Sequence, residues 1–168
     1  MNNKVMRNIA SKEELLQENE QLKRKLAEYE GMIKELSAPM IPSIVPNTML
    51  VPLTGTFSVE RFAHIQDKIV NSVAEADTDT VIIDLTGINY LDIDEIGYLE
   101  LSDNIKNLTD ALKLMGVETI FVGFSAKLVQ KLVLSNSGFQ GFKSYATFRS
   151  ALKALLKEKG MEIQQIEK

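Results

Sequence analysis

The run Val81-Ile82-Ile83 and the residues directly after it constrain this chain more than any other feature. Three consecutive β-branched residues suit a strand buried on both faces. Asp84 and Thr86-Gly87 interrupt the run at its carboxyl end. A second apolar patch, Ile88 to Leu91, leads into Asp92-Ile93-Asp94-Glu95. Ile96, Leu99, Ile105, Leu108 and Leu112 then recur at helical spacing. The expected unit is a buried strand, a loop, and a helix with an acidic first turn. Such a loop leaves the carboxyl end of the sheet, where α/β domains place function.

The same alternation extends through the rest of the chain. Met49 to Leu53 reads as a strand, and Pro52 restricts it to an edge or to pairing on one side at that point. Ile41 to Val45 is a candidate short strand before it. Ser58 is a candidate N-cap for a helix striped by Phe62, Ile65, Ile69 and Val73. The long helix from about Ile93 should stop at Met115-Gly116. Val117 to Val122 is a further strand, closed by Gly123. Ser125 should cap a helix bearing Leu128, Val129, Leu132 and Val133. A turn holding Gly138 and Gly141 precedes an edge strand near Phe142 to Tyr145. Thr147 should cap a last helix with Phe148, Ala151, Leu152 and Leu155. The order β-β-α-β-α-β-α-β-α implies an α/β fold with a mostly parallel sheet and right-handed crossovers.

The amino-terminal segment obeys different rules. Leu15, Leu22, Tyr29 and Leu36 fall at heptad position d, and Asn19, Leu26 and Ile33 at position a. In this register Glu18 faces Lys23, and Lys25 faces Glu30, of a parallel partner, and both pairs attract. A single Asn at position a favours a two-stranded, in-register parallel coil. The segment therefore reads as a coiled-coil dimerisation helix, the alternative being an amphipathic helix packed on its own domain. Three to four heptads is short for independent stability, so the globular part is expected to help. Residues 37–47 hold three of the four prolines and cannot continue a helix.

Composition narrows the function. With 168 residues, 45% of them apolar, the chain has room for one ordinary domain and an appendage. A net charge of −4 disfavours nucleic-acid binding. No cysteine is available for a disulfide or a thiolate metal site, and there is one histidine, His64. No apolar run is long enough to span a membrane, and the first residues lack a signal-peptide core. The expectation is a soluble cytoplasmic protein with neither membrane nor nucleic acid as partner.

Few residues are arranged for chemistry. The isolated glycines spell neither a P-loop nor a dinucleotide fingerprint. Gly123-Phe124-Ser125 is a strand-to-helix turn able to hold an anion, though a simple cap explains it more economically. Asp84, Asp92, Asp94 and Glu95 form an acidic cluster that a receiver-like phosphoacceptor would use for magnesium. The acidic pair such a site needs after the first strand is missing, since Leu53-Thr54-Gly55 occupies that place. Carboxylates complementing a helix dipole account for the cluster better. His64 lies between Phe62 and Ile65 with no partner placed to make a dyad. No cofactor and no metal is expected.

Asp84-Leu85-Thr86-Gly87-Ile88 with Leu91-Asp92 resembles the central motif of STAS domains, the anti-sigma-factor antagonist family. The resemblance takes in Glu35 to Pro42, then Leu53-Thr54-Gly55-Thr56 with Glu60-Arg61, then Val122-Gly123-Phe124. Together these look like the STAS half of stressosome scaffold proteins, co-antagonists in the general stress response. In that family a serine or threonine directly after the loop Asp accepts phosphate from a partner kinase. Here that place is Ile93, and the place of a second threonine is Lys131, so neither offers a hydroxyl. The resemblance implies a non-catalytic scaffold in a sigma-factor partner-switching pathway. Its partners would be other STAS proteins and a serine-kinase-like switch protein.

The chain thus divides into an N-terminal coiled-coil helix at 1–36, a Pro-rich linker with a possible first strand at 37–47, a STAS domain at 48–158 and a tail at 159–168. The expected partner-binding residues are Asn89, Tyr90, Asp92, Ile93, Asp94 and Glu95. The expected homodimer seam is Leu15, Asn19, Leu22, Leu26, Tyr29, Ile33 and Leu36. The rival reading is a receiver-like phosphoacceptor or small α/β enzyme using Asp84, Asp92 or Asp94.

Overall fold

Where the sequence alternates β-branched runs with amphipathic repeats, the computed structural model of the chain alternates strands with helices. It describes the backbone of residues 2–36, 38–56, 59–89, 95–134 and 142–164. Side chains are described for 12–33, 36, 38–56, 61–88, 97–130 and 142–164. The chain divides into two units, Met1–Leu36 and Ser37–Lys168. The first is a single helix, α1 (Asn2–Leu36). The second runs β1 (Ile41–Pro42), β2 (Thr48–Thr56), α2 (Val59–Glu75), β3 (Thr80–Asn89), α3 (Glu95–Leu114), β4 (Glu118–Val122), α4 (Ala126–Leu134), β5 (Lys143–Tyr145) and α5 (Phe148–Glu158).

The strands form one sheet in the order β1-β2-β3-β4-β5. β1 is antiparallel to β2, and every other pair is parallel. Consecutive parallel strands joined by crossovers of one hand place the joining helices on one face. Alternate strand residues serve opposite faces. Val51, Leu53, Val81, Ile83, Leu85 and Phe121 therefore pack with Phe62, Ile65 and Ile69 of α2, Ile105, Leu108 and Leu112 of α3 and Leu128 of α4. Ile82, Ile120 and Val122 turn to the other face, where Ala151, Leu155 and Leu156 of α5 meet them. The β-branched run of β3 is closed to solvent on both sides, with Val81, Ile82 and Ile83 at most 1% exposed.

Several local expectations hold. Pro52 lies beyond the reach of β1, which pairs only with Met49 and Leu50, so its missing N–H is asked for on one side alone. Thr147 caps α5 through a reciprocal capping box with Ser150. Ser125 Oγ accepts the Leu128 N–H at the start of α4. Gly116, with φ of +76°, comes after α3 in the left-handed conformation that ends helices. Ser58, Gly138 and Gly141 lie outside the described residues or side chains.

Other expectations need correction. The third strand does not stop near Leu85 but continues to Asn89. After an irregularity between Pro52 and Thr54 the ladder resumes, pairing Thr54 with Gly87 and Thr56 with Asn89. A Cβ at residue 87 would sit 2.7 Å from Thr54 Cγ2 and 3.0 Å from the Leu53 carbonyl oxygen. Gly87 is thus a point of close strand approach rather than a strand breaker. The first strand is shorter than 41–45: Ser43 donates its N–H to the Thr48 carbonyl and takes the Val45 N–H on Oγ, which makes a turn. On α3 it is Tyr98 and Leu101 that are buried, while Leu99 is exposed, and Val129 of α4 is exposed as well.

The amino end of the sheet is fastened by a clamp invisible to local patterns. Lys159 Nζ, just past α5, donates to Asp79 Oδ1 at 2.6 Å and to the Pro46 carbonyl at 2.8 Å. The Asn47 carbonyl, on a residue with φ of +56°, accepts the N–H groups of Asp79 and Thr80. Burial pushes the Asp79 carboxyl up. Hydrogen bonds from Lys159 and Thr80, with the lysine charge, more than offset this and hold it below the ordinary carboxylate value.

Candidate functional site

The site the sequence points to lies at the carboxyl ends of the central strands. β3 delivers Asn89 to this end and α3 departs from it at Glu95. Tyr90, Asp92, Ile93 and Asp94 lie outside the described residues, as do the side chains of Asn89, Glu95 and Lys131. What is described is the ledge from which that loop springs.

The ledge is tightly built. Asp84 is half-buried, and its Oδ1 accepts the Thr86 N–H at 2.9 Å. One carboxylate oxygen of this candidate acid is therefore engaged in holding the strand's own backbone. β4 ends opposite, with Val122 paired to Asp84, and Gly123 comes next with φ of +80°. A Cβ on Gly123 would stand 2.2 Å from Thr86 Oγ1, 2.5 Å from Thr86 N and 2.9 Å from Asp84 Oδ1. No residue but glycine fits there, because both the space and the backbone conformation are denied to a side chain. Phe124 and Phe142 then pack on Phe121, with ring centroids at 6.0 and 5.8 Å.

On the other flank Arg61 of α2 donates to the carbonyl oxygens of Thr54 and of Thr56, the latter at 2.7 Å. It caps the end of β2 beside Gly55, whose φ is +88°. Burial lowers the pKa of this guanidinium from its ordinary value, yet arginine stays charged at any physiological pH. The sequence marks Asp84, Thr86, Gly123 and Arg61 as motif residues, but not that Gly123 packs under Thr86 or that Arg61 caps the end of β2.

In the described ledge the Asp84 carboxylate and the Arg61 guanidinium both bond to backbone groups of their own domain. Among the described residues no group of three or more His, Asp or Glu is placed to hold a metal ion. His64 is exposed on α2. The residues expected to form the α1 seam, Leu15, Leu22, Leu26, Tyr29, Ile33 and Leu36, are 57–76% exposed, and every other described side chain of that helix is exposed as well.

This arrangement has recognisable relatives. A sequence profile described as the STAS domain matches residues 39–154. The chain belongs to the STAS domain family. It is 30% identical over 101 residues to the RsbT co-antagonist protein RsbRA of Bacillus subtilis, covering 60% of this chain and 34% of that protein. It is 30% identical over 120 residues to a blue-light photoreceptor of Listeria innocua, covering 71% and 45%. The chain thus spans less than half the length of these curated relatives. Among solved structures, RsbS S58E of Moorella thermoacetica superposes with a TM-score of 0.57 at 13% identity, covering 74% of this chain and 98% of that one. The unphosphorylated anti-sigma factor antagonist SpoIIAA superposes with a TM-score of 0.51 at 14% identity, covering 74% and 99%. At such identities the structural likeness speaks for the STAS fold. No described helix of this STAS protein is long and apolar enough to cross a membrane.

Proposed function

We propose that this STAS protein is a non-catalytic scaffold of a stress-response partner-switching pathway, working in the cytoplasm as a homodimer. It assembles with other STAS proteins and holds a serine-kinase-like switch protein. The loop and helix start at Asn89, Tyr90, Asp92, Ile93, Asp94 and Glu95 form its partner surface. The observation that carries this reading is the family membership together with relatives named as RsbT co-antagonists.

The reading has a chemical consequence. Ile93 and Lys131 occupy the places where the family carries its phosphoacceptors, and neither side chain can accept phosphate. Asp94 puts a permanent negative charge one residue beyond the usual acceptor. A phosphate carries nearly two charges and three strong acceptors, so one carboxylate imitates it incompletely. The module is accordingly held in one state rather than switched at this loop. In sequence Ile93 is flanked by acids, and an apolar anchor of that kind suits an interface with a polar rim.

The test is partner affinity in two variants. Ile93→Asp and Asp94→Lys should each weaken binding of the switch protein by about tenfold while circular dichroism stays native. Unchanged affinity in both would place the surface elsewhere.

A further inference from the structure

β3 outruns its neighbour β4. From Thr80 to Asp84 it is held between β2 and β4. β4 ends where Val122 pairs with Asp84, and β3 continues to Asn89 beside β2 alone. The pairs there are Thr54 with Gly87, Gly55 with Ile88 and Thr56 with Asn89. β1 reaches β2 only at Met49 and Leu50. Residues 54–56 and 87–89 therefore form a two-stranded parallel ribbon that overhangs the sheet. A lone pair of strands is marginal in water, and parallel pairing is the weaker kind. Burial gives this pair little help. Thr54, Gly55, Thr56 and Gly87 are exposed, and Ile88 is the one described side chain of the ribbon that packs on the core. Glycine is also the residue that costs most to order, and Gly55 bends β2 with φ of +88°.

Arg61 supplies what the ribbon lacks. Its guanidinium donates to the carbonyl oxygens of Thr54 and Thr56, one on each side of the Gly55 bend. A Cβ on Gly55 would stand 3.8 Å from Arg61 Nη1, so the guanidinium lies against the bend itself. A planar fork holds two acceptors at a fixed spacing, which a flexible ammonium does not. Arg61 also stands in the first turn of α2, where a positive charge opposes the helix dipole. The helix therefore gives no electrostatic reason for an arginine at this place, and the two carbonyls do.

We propose that Arg61 is a positioning residue of the partner surface: by tying α2 to the bend in β2 it holds the overhanging ribbon and so fixes Asn89, the first residue of that surface. The inference rests on the surface assigned under the proposed function. Arg61 acts through backbone alone. Its guanidinium holds Thr56, and Thr56 holds Asn89 by strand pairing. Because arginine stays protonated, the tie works at any physiological pH.

The test uses the full chain and compares Arg61→Ala with Arg61→Lys. Amide hydrogen exchange needs no partner and comes first. Arg61→Ala should speed exchange of the strand-paired amides among Gly87 to Asn89 by about tenfold or more, and leave Ile82 and Ile83, in the part of β3 held on both sides, unchanged. Affinity for the switch protein should fall by about tenfold in the same variant. Arg61→Lys keeps the charge without the fork, so it should restore both only in part. Unchanged exchange at residues 87–89 would overturn the inference. So would equal acceleration at Ile82 and Ile83, since Arg61 would then serve general stability. A loosened ribbon with undiminished affinity would overturn it too. In that case Ile93→Asp shows which idea fails: weakened binding there spares the assigned surface, and unchanged binding removes the surface as well.

Discussion

At the scale of single residues, the ledge at the carboxyl ends of β3 and β4 depends on one glycine. Gly123 combines a left-handed backbone with a Cβ position 2.2 Å from Thr86 Oγ1. Gly123→Ala meets both penalties, of which the backbone alone costs about 1–3 kcal/mol. Urea denaturation should therefore show a loss of at least about 2 kcal/mol. A smaller loss would mean that β3 and β4 separate easily at this end. By contrast Gly116, with nothing near its missing Cβ, carries only the backbone penalty. Two glycines that look alike in the sequence thus differ in what they protect, and only the fold distinguishes them.

At the scale of elements, the clamp between α5 and the β1–β2 turn predicts a pH dependence. The folded pKa of Asp79 lies below its unfolded value. Its contribution is therefore present in full above the unfolded value and is lost as pH falls through the folded one. Asp79→Asn should lower stability near neutral pH by no more than about 1 kcal/mol, because the carboxylate is more than half exposed. The gap between variant and wild type should shrink by about pH 3. A gap that persists in acid would show that the loss does not come from the charge of the Asp79 carboxylate. This clamp also marks the limit of sequence reading. The strand and helix order was legible because Val81-Ile82-Ile83, the α2 stripe and the Thr147 cap are local signals. The pairing of Lys159 with Asp79 joins residues 80 positions apart and leaves no local trace. The extension of β3 to Asn89 was obscured for a related reason. Gly87 has the composition of a breaker, and only its pairing with Thr54 reveals a close approach. At the candidate site, the sequence located the loop after β3 but did not reveal that Asp84, Thr86 and Gly123 interlock beneath it.

At the scale of the whole molecule, the proposed function makes association rather than catalysis the role of the α1 helix and the five-stranded STAS sheet. The most direct measurement mixes the full chain with its serine-kinase-like switch protein and ATP, then records complex formation and intact mass together. The account predicts that the two proteins co-elute and that the mass of the STAS chain is unchanged, because Ile93 and Lys131 have no hydroxyl to phosphorylate. Failure to co-elute, or a gain of one phosphate mapped to residues 86–102, would contradict it.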